Sequence, residues 1–181
     1  MSSYIVWTGD AGYAEYGNGW TTNDGWAPWG YRVASNPTRD HYVEYTFNVP
    51  SGYYDLYYYS LGGISQTQYS SRRIVTVLDG NNTNTERNFW MDMGHHKTSE
   101  NFPITTGTYG DYFYKFAMSV PCSGTMLVRQ EVDYRETLGS NMFVTAMALN
   151  STTDFYEVEE VAPSEYVPTS NRSKPHPLYS N

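Results

Sequence analysis

The sequence predicts an all-β protein, an antiparallel β-sandwich of about eight strands, from three runs near the middle of the chain. Residues 42–49 alternate apolar with polar side chains, which is the period-2 pattern of a strand buried on one face. Residues 53–60 are rich in tyrosine and residues 73–78 in β-branched side chains, and both compositions favour strands. Breaks rich in glycine or proline separate the runs. We therefore expect an antiparallel meander, as in sandwiches and barrels.

Further strands are expected on both sides of this meander, and no segment has a convincing helical pattern. They are predicted at residues 4–8, 30–34, 87–91, 112–120, 125–132 and 141–149. The last has apolar side chains on both faces, which is typical of a strand covered on both sides. Asp79-Gly80 is a hairpin signal that opens a polar turn at 79–85. The oxygen-rich side chains of this turn could also hold calcium, but their spacing matches no calcium-binding loop, so a plain turn is favoured.

Composition restricts the classes of function. The chain has 181 residues, enough for one domain of ordinary size, which we place at 1–150. Its formal net charge is -8 and its basic residues are scattered, so no nucleic-acid partner is expected. The single cysteine, Cys122, excludes an intrachain disulfide, and no apolar run is long enough for a membrane span. The first ten residues lack the features of a signal peptide, so synthesis in the cytoplasm is expected.

Residues 9–30 interleave glycines with tyrosine and tryptophan, and we expect a folded loop rather than a regular element. Two interpretations remain open. Either the rings plug one end of the sandwich, or they form a platform on which a sugar ring stacks while nearby polar groups bind its hydroxyls. A second irregular segment, 94–110, is expected to be a binding loop. Its adjacent His95 and His96 have no spaced third ligand, so no metal site and no cofactor are predicted.

Residues 151–181 differ in composition from the rest of the chain. They begin with an acidic stretch and continue with several prolines, which together oppose regular structure. We expect an extended C-terminal arm that is disordered alone and docks onto other subunits of an assembly. The residues expected to make this contact are Tyr156, Val158, Tyr166, Val167, Leu178 and Tyr179.

Four stretches of the sequence together resemble the galactose-binding-like jelly roll, a group that includes non-catalytic carbohydrate-binding modules and golvesin-type C-terminal domains. The stretches are 29–34, 41–60, 75–80 and 140–149. Their common pattern is an alternating strand, a Pro-x-Gly-Tyr turn, a returning strand and a later strand that ends in an Asp-Gly turn. The resemblance covers residues 4–150 and implies a jelly-roll sandwich.

In sugar-binding members of this group, the ligand lies in loops at one end, between aromatic side chains and an asparagine that precedes the last strand. The resemblance therefore implies a glycan site in this chain. The candidate ligand-binding residues are Trp20, Trp26, Trp29, Tyr31, Trp90 and Asn141.

The sequence carries no recognisable catalytic motif, so a non-catalytic protein is predicted. The main expectation is a structural surface component of a large assembly, a virion decoration or tail protein anchored by its arm, with glycan contact as an added activity. The alternative is a free carbohydrate-binding module that uses an aromatic platform. Expected partners are other subunits of the assembly and a glycan, at a virion or extracellular surface.

Overall fold

The computed structural model describes residues 2–23, 30–59, 72–80, 82–92, 113–132 and 141–153. These residues form strands, turns and connections, with no helix among them, and hence none that could cross a bilayer. The strands are β1 Ser3–Trp7, β2 Tyr13–Tyr16, β3 Trp20–Asn23, β4 Tyr31–Ser35, β5 Tyr42–Asn48, β6 Gly52–Tyr59, β7 Arg72–Asp79, β8 Asn82–Asp92, β9 Phe113–Cys122, β10 Thr125–Val132, β11 Asn141–Val144 and β12 Ala146–Thr152.

The strands form three antiparallel sheets around one core. The four-stranded sheet has the order β1-β12-β6-β9, the five-stranded sheet β2-β5-β10-β7-β8, and the three-stranded sheet β11-β4-β3. Buried side chains from all three sheets belong to a single apolar cluster. Within it, the rings of Phe89 in the five-stranded sheet and Phe116 in the four-stranded sheet meet edge to face, with centroids 6.3 Å apart. The predicted all-β sandwich is confirmed.

The predicted meander is wrong, because β5 and β6 belong to different sheets. β5 pairs with β2 and β10, whereas β6 pairs with β12 and β9. The turn at 50–52 therefore carries the chain across the core. Burial gives the physical reason, since β5 buries alternate residues whereas β6 buries every residue from 54 to 59. A strand with aromatic side chains on both faces buries the most apolar surface when it lies inside a sheet that is covered on both sides.

The prediction of a loop without regular elements at 9–30 is also wrong, because β2 and β3 lie within this range. The aromatic and threonine residues at 13–16 and 20–23 have high strand propensity. Gly17 and Gly19 adopt positive φ angles of 89° and 81°, so they form the turn between the two strands instead of preventing them. Glycine here marks the turn that carries the chain from the five-stranded to the three-stranded sheet.

The last predicted strand divides at Thr145. β11 pairs with β4 in the three-stranded sheet, whereas β12 pairs with β1 and β6 in the four-stranded sheet. The carbonyl oxygen of Thr145 accepts a hydrogen bond from the backbone N–H of Thr8 at 3.0 Å. Residues 142–150 are all buried, as their apolar pattern predicts. One short run of the chain thus fixes the three-stranded sheet to the sandwich.

The hairpin expected at Asp79-Gly80 joins β7 to β8, and Asp79 pairs with Asn82. The polar turn is shorter than the predicted 79–85, because β8 begins at Asn82 and extends through the predicted strand at 87–91.

We predict that Leu56→Ala lowers the free energy of unfolding by about 2–5 kcal/mol, because Leu56 is fully buried and the change leaves a cavity. Leu127 is a matched control, because it lies on the partly exposed face of β10. Denaturant unfolding of both variants measures the two losses. Equal losses would contradict this assignment of the core.

Candidate functional site

An open pocket lies where β2, β3 and β4 meet the chain that leaves β1. It has a volume of about 420 Å³ and is lined by Thr8, Gly9, Tyr13, Ala14, Glu15, Thr22 and Arg32. A volume of this size is within the range of small-ligand sites, roughly 300–1,000 Å³. Its lining includes hydroxyl, carboxylate and guanidinium groups, so it can form several hydrogen bonds with a polar ligand.

An ion pair between Arg32 of β4 and Glu15 of β2 forms the polar centre of the pocket. Nε of Arg32 donates to Oε2 of Glu15 at 2.9 Å, and Nη2 donates to Oε1, so the contact is bidentate. Nη1 donates to Oγ1 of Thr22 at 2.5 Å. The hydrogen bond with Glu15 is the main cause that raises the pKa of Arg32. The pair also joins the three-stranded sheet to the edge of the five-stranded sheet.

Tyr13 packs against the core and forms a hydrogen bond with Glu15 of this ion pair. Its ring packs against the main core and lies 5.5 Å from the ring of Tyr45, centroid to centroid. Its hydroxyl donates to Oε2 of Glu15 at 3.0 Å. Burial, followed by the neighbouring Tyr45 and the Glu15 carboxylate, raises the pKa of the Tyr13 phenol far above its ordinary value. Tyr13 therefore remains a protonated donor that holds Glu15 in position.

The turn between β2 and β3 is held by His41, which is buried. The backbone N–H of Thr38 donates to Nδ1 of His41 at 2.9 Å, so the ring proton lies on Nε2, which donates to the carbonyl oxygen of Asn18 at 2.8 Å. A Cβ at Gly17 would lie 2.8 Å from the imidazole ring. Only glycine leaves room for this contact, which holds the turn that leads from β2 into β3, the strand that carries Thr22.

A second cluster of the same residue types lies on the outward face of the five-stranded sheet, outside the pocket lining. Glu44 accepts hydrogen bonds from Nε and Nη2 of Arg129 at 3.0 and 2.7 Å, and from the hydroxyl of Tyr16 at 3.1 Å. The guanidinium of Arg129 lies 4.5 Å from the ring centroid of Tyr42, which stacks on Tyr16 at 4.4 Å. This cluster stabilises the edge strand β2 and provides matched control residues.

Of the predicted ligand-binding residues, Trp20 lies beside the pocket. It precedes Thr22 by two residues in β3, so both side chains are on one face of the sheet. Its indole N–H donates to the carbonyl oxygen of Tyr16 at 2.9 Å, and its ring packs partly against the core. Trp20 thus lies in the same strand as Thr22 but is not itself among the lining residues.

Tyr31 and Asn141 are not among the described residues that line the pocket. Tyr31 is 7% exposed and its ring packs edge-on against Phe143, with centroids 5.9 Å apart, so it presents no open face for stacking. Asn141 is opposite Ser35, whereas Trp20 and Met142 are both opposite Ala34. Because successive residues of a strand point to opposite faces, Asn141 and Trp20 lie on opposite faces of the three-stranded sheet.

Trp90 is also remote from the pocket. It lies in β8, the far edge of the five-stranded sheet, while β2 with Glu15 is the other edge. Four strand spacings separate the two edges, which is roughly 19 Å. The described lining of the pocket includes none of Trp90, Tyr31 and Asn141, and their predicted part in glycan binding stays a prediction.

The remaining predicted residues lie outside the described ranges. They are Trp26, Trp29, His95, His96 and the residues of the arm at 154–181. The ends of the segment 24–29 are nevertheless placed, since it follows Asn23 of β3 and precedes Gly30, whose carbonyl oxygen is 3.5 Å from Oγ1 of Thr8. Among the described side chains, no group of three or more His, Cys, Asp or Glu could hold a metal ion.

The sequence analysis missed Thr8, Tyr13, Glu15, Thr22 and Arg32. A signal for Tyr13 and Glu15 was present, because Tyr-Ala-Glu-Tyr at 13–16 reads as a short strand once the glycines that follow are taken as a turn. No sequence signal pairs Glu15 with Arg32, because their contact depends on how two sheets meet.

Comparison with known proteins supports the fold. No protein-family model and no curated protein matches this sequence. The chain is similar in structure to part of a xanthan lyase of Paenibacillus, with a TM-score of 0.58 and 16% identity over 83% of this chain and 13% of the lyase. It is also similar to Xyl-CBM35, solved with a glucuronic acid containing disaccharide, with a TM-score of 0.48 and 14% identity over 82% of this chain and 94% of the other. The predicted resemblance is confirmed at the level of the fold.

We predict that Tyr13→Phe destabilises the protein at about pH 8 and that this deficit shrinks toward about pH 11, given an unfolded tyrosine pKa near 10. The folded pKa of Tyr13 is raised, so its contribution is complete below the unfolded value and is lost as the pH rises above it. Denaturant unfolding of both proteins across this range measures the difference. A deficit that stays constant with pH would contradict the prediction.

Proposed function

We propose that this domain is a non-catalytic carbohydrate-binding module that holds a glycan in the pocket around Arg32 and Glu15. The observation that carries the proposal is the lining of this pocket, which combines the ring of Tyr13 with carboxylate, guanidinium and hydroxyl groups. The segment 24–29 contains Trp26 and Trp29 in the sequence. This segment joins the two strands that supply Thr22 and Arg32 to the lining. Sugar recognition uses this combination, because aromatic faces contact the C–H groups of a sugar while polar side chains bind its hydroxyls.

The similarity to part of a xanthan lyase agrees with this proposal. The aligned part is 13% of an enzyme named for a polysaccharide, so a domain of this fold exists within a protein that acts on glycans. Fold alone does not define function, and the pocket therefore carries the argument.

The expectation of a virion or other assembly role rests on the arm at 151–181, the lack of signal-peptide features and the single cysteine, and it remains a prediction. Glycan binding by the pocket does not depend on it, because all the lining residues lie within 8–32.

We predict that Thr22→Val weakens glycan binding roughly fivefold, since one hydrogen bond contributes about 1 kcal/mol. Arg32→Ala should weaken it more than about tenfold, because the change also removes the cationic partner of Glu15. A glycan array identifies the ligand, and calorimetry on folded variants measures affinity. Arg129→Ala is the matched control and should bind normally, because Arg129 lies outside the lining. Normal binding by both pocket variants would contradict the proposed site.

We predict that Trp26→Ala and Trp29→Ala each weaken binding by roughly tenfold, because each removes an aromatic contact worth about 1 kcal/mol or more. Trp90→Ala is the control, since β8 lies at the opposite edge of the five-stranded sheet. Equal affinities for the three variants and the parent would exclude an aromatic contribution from 24–29.

A further inference from the structure

We infer that the pocket selects neutral sugars and rejects their acidic counterparts, an inference that rests on the proposed function and specifies its ligand class. Two features of the pocket support it, namely the hydrogen bonds that its side chains already make and the charges in its lining.

The guanidinium of Arg32 is committed to groups of the protein itself. Two of its nitrogen atoms bind the two carboxylate oxygens of Glu15, and the third binds Oγ1 of Thr22. The edge of the guanidinium formed by Nε and Nη2, which can bind a carboxylate in bidentate geometry, is therefore occupied by Glu15. An acidic sugar that took this edge would have to displace Glu15, whose side chain is 25% exposed and would lose its cationic partner.

The charge of the pocket also opposes an anion. Arg32 and Glu15 cancel, and they are the only charged residues in the described lining. Asp10 follows the lining residue Gly9, and its carboxylate accepts a hydrogen bond from the backbone N–H of Trp7 at 2.8 Å. The whole chain carries a net charge of -8. A ligand carboxylate would meet repulsion without a free cation in the lining to offset it.

Sugar hydroxyls suit the same groups without any rearrangement. Each hydroxyl can donate to a carboxylate and accept from a guanidinium at the same time. Glu15 and Arg32 lie side by side and keep unused acceptor and donor capacity, since three of the five N–H groups of Arg32 are engaged. Thr8 and Thr22 add hydroxyls to the lining. The pocket can thus bind an uncharged polyol edge while its ion pair stays intact.

Matched sugar pairs that differ only at C6 test this inference. The probes are oligomers of glucose, galactose and mannose, each paired with the corresponding uronic acid, and calorimetry measures affinity at low and high salt. We expect the neutral member of the bound pair to bind at least about tenfold more tightly, which is 1.4 kcal/mol. Its affinity should change little with salt, because no ligand charge is paired.

The variant Glu15→Gln removes the carboxylate that occupies Arg32. It should shift the preference toward the acidic member by about tenfold or more, because the guanidinium becomes available to a ligand carboxylate. Glu44→Gln makes the same change in the outward cluster and should leave the preference unaltered.

Two outcomes are separable. If the uronic acid binds as tightly as the neutral sugar or more tightly, and Thr22→Val weakens that binding, the inference is overturned while the proposed function stands. If the protein binds no member of any pair and no glycan on an array, the proposed function itself fails, and the inference fails with it.

Discussion

The arrangement of the sheets depends on one run of the chain that supplies a strand to each of two sheets. β11 and β12 are parts of one buried run, and the chain passes from the three-stranded to the four-stranded sheet at Thr145. Because side chains on both faces of this run are buried, neither sheet can move without exposing apolar surface. The pocket lies beside this junction, so its walls are held by the core.

Polar contacts then orient the side chains that line the pocket. The Arg32–Glu15 pair connects β4 to β2, and Tyr13 holds Glu15 from below with a phenol that stays protonated. His41 holds the turn that leads from β2 to β3. These contacts are local and partly buried, so they orient the lining more than they stabilise the fold. These contacts hold the pocket lining in a fixed arrangement, which favours the proposed glycan binding.

The sequence predicted the fold class well because strand periodicity and β-branched or aromatic composition are local signals. The runs predicted at 42–49, 125–132 and 141–149 correspond to β5, β10 and the pair β11 and β12, and the first buries alternate side chains as expected. The assignment of strands to sheets was not predictable in the same way, because the turn at 50–52 can close a hairpin or cross a core with the same residues.

The candidate site was predicted only in part, for a related reason. Most candidate ligand-binding residues were chosen because they are aromatic. Residue type alone does not distinguish a buried ring such as Tyr31 from a partly exposed ring such as Trp20. The Glu15–Arg32 pair requires knowledge of which strands become neighbours.

The orientation of β1 relates the position of the pocket to the end of the domain at which a larger body could be attached. Its Thr8 end opens into the pocket, and at its other end Ser3 pairs with Asn150. Five residues of extended chain separate these points, a distance of about 17 Å. The acidic, proline-rich part of the sequence follows Thr152, which continues β12 past Asn150 and so lies at the end of the four-stranded sheet away from the pocket. Attachment of a larger body beyond Thr152 would leave the Thr8 end of β1 uncovered, so it is compatible with the proposed glycan binding.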